Sequence, residues 1–480
     1  YPADYEMENN LSDIKLVAGS SGYTIEQAKA VIQNALEKIP TLSVVTDPDN
    51  LFGSTNGIYT HTTDSGDLWE RPVSAEYFSA DPNDNFQVDC GLVLQGGASR
   101  NPASSPKHSL SLRFRGGYGD ATLKTSIFKQ TSVCEFDSLQ LRAVYNNSWI
   151  HWDPSQRARA TLIRDQFIRD CLIAMGQKSG CDGKYVHFYL NGLYWGIYNL
   201  HERPEASHYA AYYGGDSDYY DALNGGAVTD GVSTSWNNLQ TTLQTANSSS
   251  LADWQKINTL LDVENYIDWT IIQHYSLNQD LKADGNWRVA GGGLFSAPWR
   301  FFAWDVERTM ENGNVGNTAT YSDFNAPFLL GYLRNFAEFR IQFADRVYKH
   351  FRNQGALTYA VASARFNNRV NELNDAIIAE SARWGDYRRD VHVRGTAYLF
   401  TKNDYWLPSV SAIDGYLLAK ETNTITYFKG LSPALYPAIE PPVFRINYVN
   451  QYGGDIMVPS DLSMSISSDE VWYTVDGSDQ

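Results

Sequence analysis

Apolar residues recur at helical spacing through YTIEQAKAVIQNALEKIP, residues 23–40. Thr24 can cap the first turn, Glu26 suits the positive end of the helix dipole, and Pro40 lies past the last turn, so this stretch predicts a helix. From Leu42 to about Ile197 short β-like runs take over, among them GLVLQGG, SLSLRFR and DSLQLRAVY, separated by Gly, Asn, Asp and Pro. RARATLIRDQFIRDCLIAMG interrupts them as one long predicted helix that stops at Gly176. KYVHFYLNGLYWGIYNLHERPE reads as a hairpin with Asn191-Gly192 as its type I′ turn, its aromatic residues serving as core and hairpin packing. Residues 205–260 are rich in Ser, Gly, Asn and Thr with interleaved helices, NYIDWTIIQHYSLNQ reads as amphipathic, and FLLGYLRNFAEFRIQFADRVYKHF and YAVASARFNNRVNELNDAIIAESARWG carry long helical patterns. DYRRDVHVRG reads as a solvated charged face. After about Pro433, YPAIEPPVF marks a linker, and MSISSDEVWYTVDGSDQ has β-strand character up to Gln480. The fold class expected is α+β, with a β-rich front half and a mostly helical back half.

RFFAWDVERTMEN, residues 300–312, ends an aromatic run fit to be a buried strand in two acids spaced i, i+2. In a strand Asp305 and Glu307 would share one face, about 6.5 to 7 Å apart along the backbone. Two acids so placed suit metal or acid–base chemistry; the plainer reading is that Asp305 caps the turn after its strand.

With 43% hydrophobic residues over 480 positions the chain can bury a large core, and its net charge of −17 argues against phosphate-backbone binding and hence against a nucleic-acid partner. No apolar run reaches the roughly 18 residues of a membrane helix, and the opening on Tyr1 reads as a processed or excised piece. The 31 Tyr, 13 Trp and 36 Gly resemble the composition of exported bacterial proteins. Cys90, Cys134, Cys171 and Cys181 lack CxxC spacing, which leaves either buried thiols or one of three disulfide pairings.

Taken in order, IPTLSVVTDPDNLFG, WERPVSAEYF, GLVLQGGASR, PKHSLSLRFRGGYG, TLIRDQF, YVHFYLNGLYWGIYNLHERPE, LNQDLKADGNW and WRFFAWDVERTME give the chain a resemblance to the spore-coat protein H (CotH) kinase family over roughly residues 39–430. The resemblance implies an atypical protein-kinase-like two-lobed fold with a β-rich N-lobe and a mostly helical C-lobe over residues 39–432, preceded by a helical linker segment (1–38). Residues 433–480 would be a linker and an incomplete β-sandwich-like segment, where VWYTVDGSD resembles the start of a chitobiase-type domain. It also implies a secreted or cell-surface Ser/Thr kinase using ATP with Mg²⁺ or Mn²⁺, protein acceptors, and a surface polysaccharide as a further partner of the β-domain.

By the same resemblance Asp280 is the catalytic acid that orients or deprotonates the acceptor hydroxyl, and Asn286 and Asp305 are metal ligands, with Glu307 standing where the family usually has Asp. Such parts suit phosphoryl transfer, which needs an acid to hold the metal and a group to orient the nucleophile. Lys107 would reach the α- and β-phosphates, with Arg100 helping and Gly96 and Gly97 letting backbone approach phosphate. Glu202 would link the lobes and face the base or ribose. The helix TLIRDQFIRD offers Asp165 where common kinases carry the Glu that pairs with their lysine. Two other classes stay open: a non-catalytic surface structural or adhesion module that keeps the fold, and a glycoside hydrolase using the paired acids, which would leave Lys107 and Asn286 without a role. Within the kinase fold, nucleotidylation is a further chemistry.

Overall fold

The computed structural model describes residues 7–282, 284–311, 329–394, 398–450 and 459–466, and the chain is α+β. Helix α1 (Leu11–Val17) is capped by Asn10, whose Oδ1 accepts from the N–H groups of Ser12 and Asp13. The expected second helix forms as α2 (Ile25–Ala35), closed by a reciprocal capping box between Thr24 and Gln27.

Strand β1 (Thr41–Val45) leads through the short α3 (Pro48–Phe52) to β2 (Arg71–Phe78), β3 (Phe86–Gln95) and β4 (Ser109–Arg113). A separate ribbon, β5 (Leu123–Lys124) with β6 (Glu135–Phe136), precedes β7 (Ser138–Arg142). After α4 (Pro154–Arg157) and α5 (Arg164–Ala174) comes the hairpin of β8 (Gly183–Leu190) and β9 (Leu193–His201). Seven of these strands close a barrel in the order β1-β2-β3-β4-β7-β9-β8, with β8 parallel to β1. Closure leaves the sheet without a free edge. The hairpin turn has φ of +50° at Asn191 and +80° at Gly192, the signs a type I′ turn requires. Asn191 also accepts from the Thr46 N–H and donates to its carbonyl, which ties the turn to the end of β1.

Period-two alternation decides what the barrel shows to the rest of the molecule. Leu110 and Leu112 of β4 and Leu139 and Leu141 of β7 fill the barrel core beside Leu92, Phe188 and Trp195. Ser109, Ser111, Gln140 and Arg142 therefore point to the opposite face. Gln140 donates to Ser111 Oγ at 2.9 Å across that face.

The long helix expected from Arg157 is broken, because Leu162 takes a left-handed φ of +64° and the chain restarts at Arg164. Its second part, α5, is buried along most of its length, charged residues included. The back half is less helical than its pattern suggested. After α6 (Ala206–Tyr213), strands β10 (Asp221–Asn224) and β11 (Ala227–Asp230) turn at Gly225-Gly226, both with positive φ. Helices α7 (Thr234–Thr245), α8 (Leu251–Leu260) and α9 (Val263–Ser276) follow, then β12 (Arg288–Gly292) and β13 (Ala297–Phe302). These four strands form a sheet in the order β11-β10-β12-β13.

α9, expected to be amphipathic, is buried on all sides, since it packs against α5 and β13. Its polar groups are matched inside: Asp268 accepts from Arg346 Nε at 2.8 Å and from Gln177 at 2.6 Å, and Asn265 bonds both the N–H and the carbonyl of Phe301. The two long helical patterns each divide, giving α10 (Leu329–Leu333) and α11 (Ala337–Phe351), then α12 (Tyr359–Leu373) and α13 (Ile377–Trp384). Asn374 and Asp375 occupy the second break, where side chains that compete for backbone hydrogen bonds favour a turn. α14 (Tyr387–Asp390) contains Arg388, which is buried and donates to the carbonyls of Ile150 and Ser104 rather than forming a solvated face. A π-helical turn, Lys402–Trp406, runs into α15 (Leu407–Lys429), and β14 (Val443–Ile446), β15 (Val449–Asn450) and β16 (Leu462–Ser465) make a small sheet. VWYTVDGSD lies outside the described residues. No disulfide joins the cysteines: Cys90, Cys171 and Cys181 are buried thiols and Cys134 is exposed.

Candidate active site

The outer face of the barrel meets the second half of the chain across a cavity of about 330 Å³. One wall is the loop after β3. Gly96 has a φ of +108°, and an added Cβ would stand 2.3 Å from Ser99 Oγ, so the turn needs glycine there. Gly97 has no such need, since nothing lies within 4 Å of an added Cβ.

Two acidic loops form the opposite wall. α9 is capped at its C-terminus by Leu277, which is left-handed with a φ of +49°, and the chain then runs alongside residues 308–310: Gln279 donates to the Arg308 carbonyl at 2.8 Å and Met310 to the Ser276 carbonyl at 2.9 Å. These bonds bring Asp280 and Asp305 into one cleft. Asn286 joins them by donating Nδ2 to the Asp280 carbonyl at 2.7 Å. The same cavity is lined by Gly96, Gly97, Asp280, Asn286, Asp305 and Glu307.

Asp305 and Glu307 do not share a strand face. β13 ends at Phe302, and Asp305 takes a φ of +57° in the turn that follows. What draws both acids together is Arg142, at the end of β7. It forms an ion pair with Asp305, lies 3.2 Å from Glu307 Oε2 through Nε, and is 3.8 Å from Asp165. Glu307 is almost fully buried, and its other oxygen accepts from the Asn146 N–H at 2.8 Å. Burial pushes the Glu307 carboxyl up and the neighbouring Arg142 opposes that shift. Asp165 is also buried, yet Arg142 and Arg169 hold its carboxyl below the usual range against the effect of burial. Asp165 further accepts from the Val306 N–H at 3.0 Å, fixing the start of the acidic turn.

Three expected site residues are elsewhere. Lys107 is only 1% exposed and does not line the cavity: its ammonium donates to Glu380 of α13 and to the Ile197 carbonyl, each at 2.7 Å. The lysine is thus paired with an acid 273 residues away, while Asp165 serves the arginines. Arg100 donates to the carbonyls of Asp64 and Leu94 and lines a neighbouring cavity of about 280 Å³. Glu202 borders a third, of about 670 Å³. It accepts from the Asp182 N–H and the Tyr212 hydroxyl, each at 2.8 Å, and burial raises its carboxyl to about 8.

Among the described residues no cluster of three His, Cys, Asp or Glu side chains can hold a metal ion alone. The oxygen donors present, Asp280, Asp305 and the amide of Asn286, nevertheless suit magnesium, which commonly takes one or two carboxylates and completes its shell with phosphate and water. Glu307 fits that set poorly because both its oxygens are already engaged.

Arg142, Gln140, His201 and Trp304 also line the cleft and were not singled out from the sequence. A signal for Arg142 exists in SLQLR, whose two leucines fix the polar face. Trp304 has none at short range: it is stacked by the Arg288 guanidinium, 4.2 Å from its ring centroid, and Arg288 lies 16 positions earlier. His201 is buried and hydrogen-bonded to Arg169 at 2.6 Å, and burial with that positive neighbour keeps its imidazole neutral.

The fold and the site thus define an α+β protein in which a glycine loop on a closed barrel faces two acidic loops across a polar cleft. The family model described as CotH kinase protein matches residues 94–418, more than half of the chain, and the chain belongs to this family. That span contains the glycine loop and both acidic loops. None of the curated proteins compared with the chain matches it.

Proposed function

We propose that the chain is a secreted or cell-surface atypical protein kinase that transfers the γ-phosphate of ATP to Ser or Thr hydroxyls of exported or envelope proteins, with Mg²⁺ or Mn²⁺. The observation that carries this reading is the convergence of Asp280, Asn286 and Asp305 on one cavity with the glycine loop. The kinase-like unit would span residues 39–432 with the barrel as its β-rich lobe, preceded by the helical segment 1–38. Residues 433–480 would begin a chitobiase-type β-domain suited to a surface polysaccharide.

When bound, the metal would offset negative charge on the phosphates during transfer. Asp280, partly exposed and 3.0 Å from Lys282, would orient the acceptor hydroxyl and take its proton. Asn286 and Asp305 would hold the metal. Glu307 would hold Arg142 in place, and Arg142 and Lys282 are the cations positioned to meet phosphate, since Lys107 is enclosed elsewhere.

The test is transfer of radiolabelled γ-phosphate to the protein and to a Ser-rich acceptor, with either metal, in the parent and in Asp280→Ala and Asp305→Ala. Label in the parent that vanishes in both variants is expected. A second reading, a non-catalytic surface module, draws on the pairing of Asp305 with Arg142. It would be favoured by absent label together with no calorimetric ATP binding in either metal.

A further inference from the structure

Arg142 differs from its acidic partners in how firmly each is held. Asp165 is fixed by Arg169 at 2.8 Å and by the Val306 N–H, and Glu307 by the Asn146 N–H; both carboxylates are 4% exposed. Asp305 is one third exposed, sits on a turn and faces the cavity. If Asp305 left, Arg142 would keep two buried carboxylates and present a free side of its guanidinium to the cleft.

We propose that Arg142 is the exchange partner of this cleft: it neutralises Asp305 until metal and nucleotide arrive together, then yields that carboxylate to the metal and takes up a phosphate oxygen. The inference rests on the kinase reading above and adds to it a phosphate-binding residue and a coupling between ligands. Two cations cannot both sit against one exposed carboxylate without repulsion, so metal alone must displace Arg142 at a cost. A phosphate supplies the displaced guanidinium with a new anion, and the planar fork of arginine suits phosphate oxygens. Metal and nucleotide therefore each favour the binding of the other, and by linkage the factor is the same in both directions. Lys282 pairs with Asp280 and Arg169 with Asp165, so neither is the counter-ion that Asp305 gives up.

The experiment is Mn²⁺ titration followed by electron paramagnetic resonance, with and without a non-hydrolysable ATP analogue, on the full chain and on Arg142→Gln and Arg142→Lys, with circular dichroism to confirm folding. The wild type should bind Mn²⁺ at least about fivefold more tightly in the presence of the analogue, a factor within the usual range of such couplings. Arg142→Gln should bind Mn²⁺ alone more tightly than the wild type by a similar factor, lose most of the coupling and bind the analogue more weakly. Arg142→Lys, which keeps the charge without the fork, should lie between, and it carries the test if the glutamine variant does not fold. A folded variant whose Mn²⁺ affinity without nucleotide is unchanged or weaker overturns the role of Arg142 while leaving the kinase reading standing. Mn²⁺ bound by no form, with or without the analogue, overturns both.

Discussion

Lys107, just before β4, and Arg142, at the end of β7, both meet carboxylates from much later in the chain, but their surroundings differ. Lys107 and Glu380 are enclosed where β9 bulges past β8, and together they bind the carbonyl and the N–H of Ile197, at 2.7 and 2.6 Å. The pair supplies hydrogen bonds to a strand residue that lies beyond the last pairing with β7, Arg142 opposite Asn199. Arg142 meets its acids at a cavity wall, with one of them on a partly exposed turn. Similar chemistry therefore fastens the fold in one place and, in our reading, waits for a ligand in the other. What separates them is access to solvent and the freedom of the acidic partner.

The largest effect expected is on chemistry at the open cluster. Asp280→Ala should lower phosphate transfer by about 10²- to 10⁴-fold, the range for loss of a positioned acid or base, with thermal unfolding close to the parent. A variant that keeps full transfer would remove Asp280 from the site. At the enclosed cluster Glu380→Ala should instead destabilise the fold by about 3–5 kcal/mol, because it strands a buried ammonium, as measured by urea unfolding. Transfer per folded molecule should persist there, and its loss would return Lys107 to the phosphate site and erase the contrast. Gly196→Ala probes the same place more gently. Gly196 has a φ of +112° and an added Cβ would lie 2.6 Å from Glu380 Oε2, so about 1–3 kcal/mol of stability should be lost, again read by urea.

The last test reads a slope at Glu202, a buried acid that forms no ion pair with an arginine among the described residues. Its carboxyl rises from an ordinary 4.5 to about 8, mainly through burial. The folded state then binds a proton that the unfolded state has released, so this group's contribution is complete below about 4.5 and is lost as pH rises towards about 8. Glu202→Gln should flatten that decline in thermal stability across the window, and an unchanged slope would mean that another group causes it.

Much of the barrel was legible because its signals are local. Alternation in SLSLR and SLQLR, the Asn191-Gly192 turn and the Thr24 cap each need only a few neighbouring residues. The order of Asp280, Asn286 and Asp305 was legible through the family's motifs, and the cleft does gather them. The strand drawn through Asp305 was wrong because the aromatic run continues the alternation while the chain turns left-handed at Asp305, and the next N–H, of Val306, bonds Asp165, 141 residues earlier. Helix α9 was misread because its polar residues find partners such as Arg346 and Gln177 from distant elements, which periodicity cannot register.

The sequence by itself determined where several of the barrel strands run, which of their faces are polar, and, through the family's motifs, the order of Asp280, Asn286 and Asp305 along the chain. Those properties follow from backbone periodicity, turn stereochemistry and short motifs. Only the tertiary structure decided which cation reaches those acids. Lys107 is sealed in by Glu380, 273 residues away, while Arg142 is set against Asp305 and Glu307 by closure of the barrel and by the bonds between the two acidic loops. The role of a charge depends on the partners that burial forces upon it, and those partners are chosen by the packing of segments that are remote in the chain.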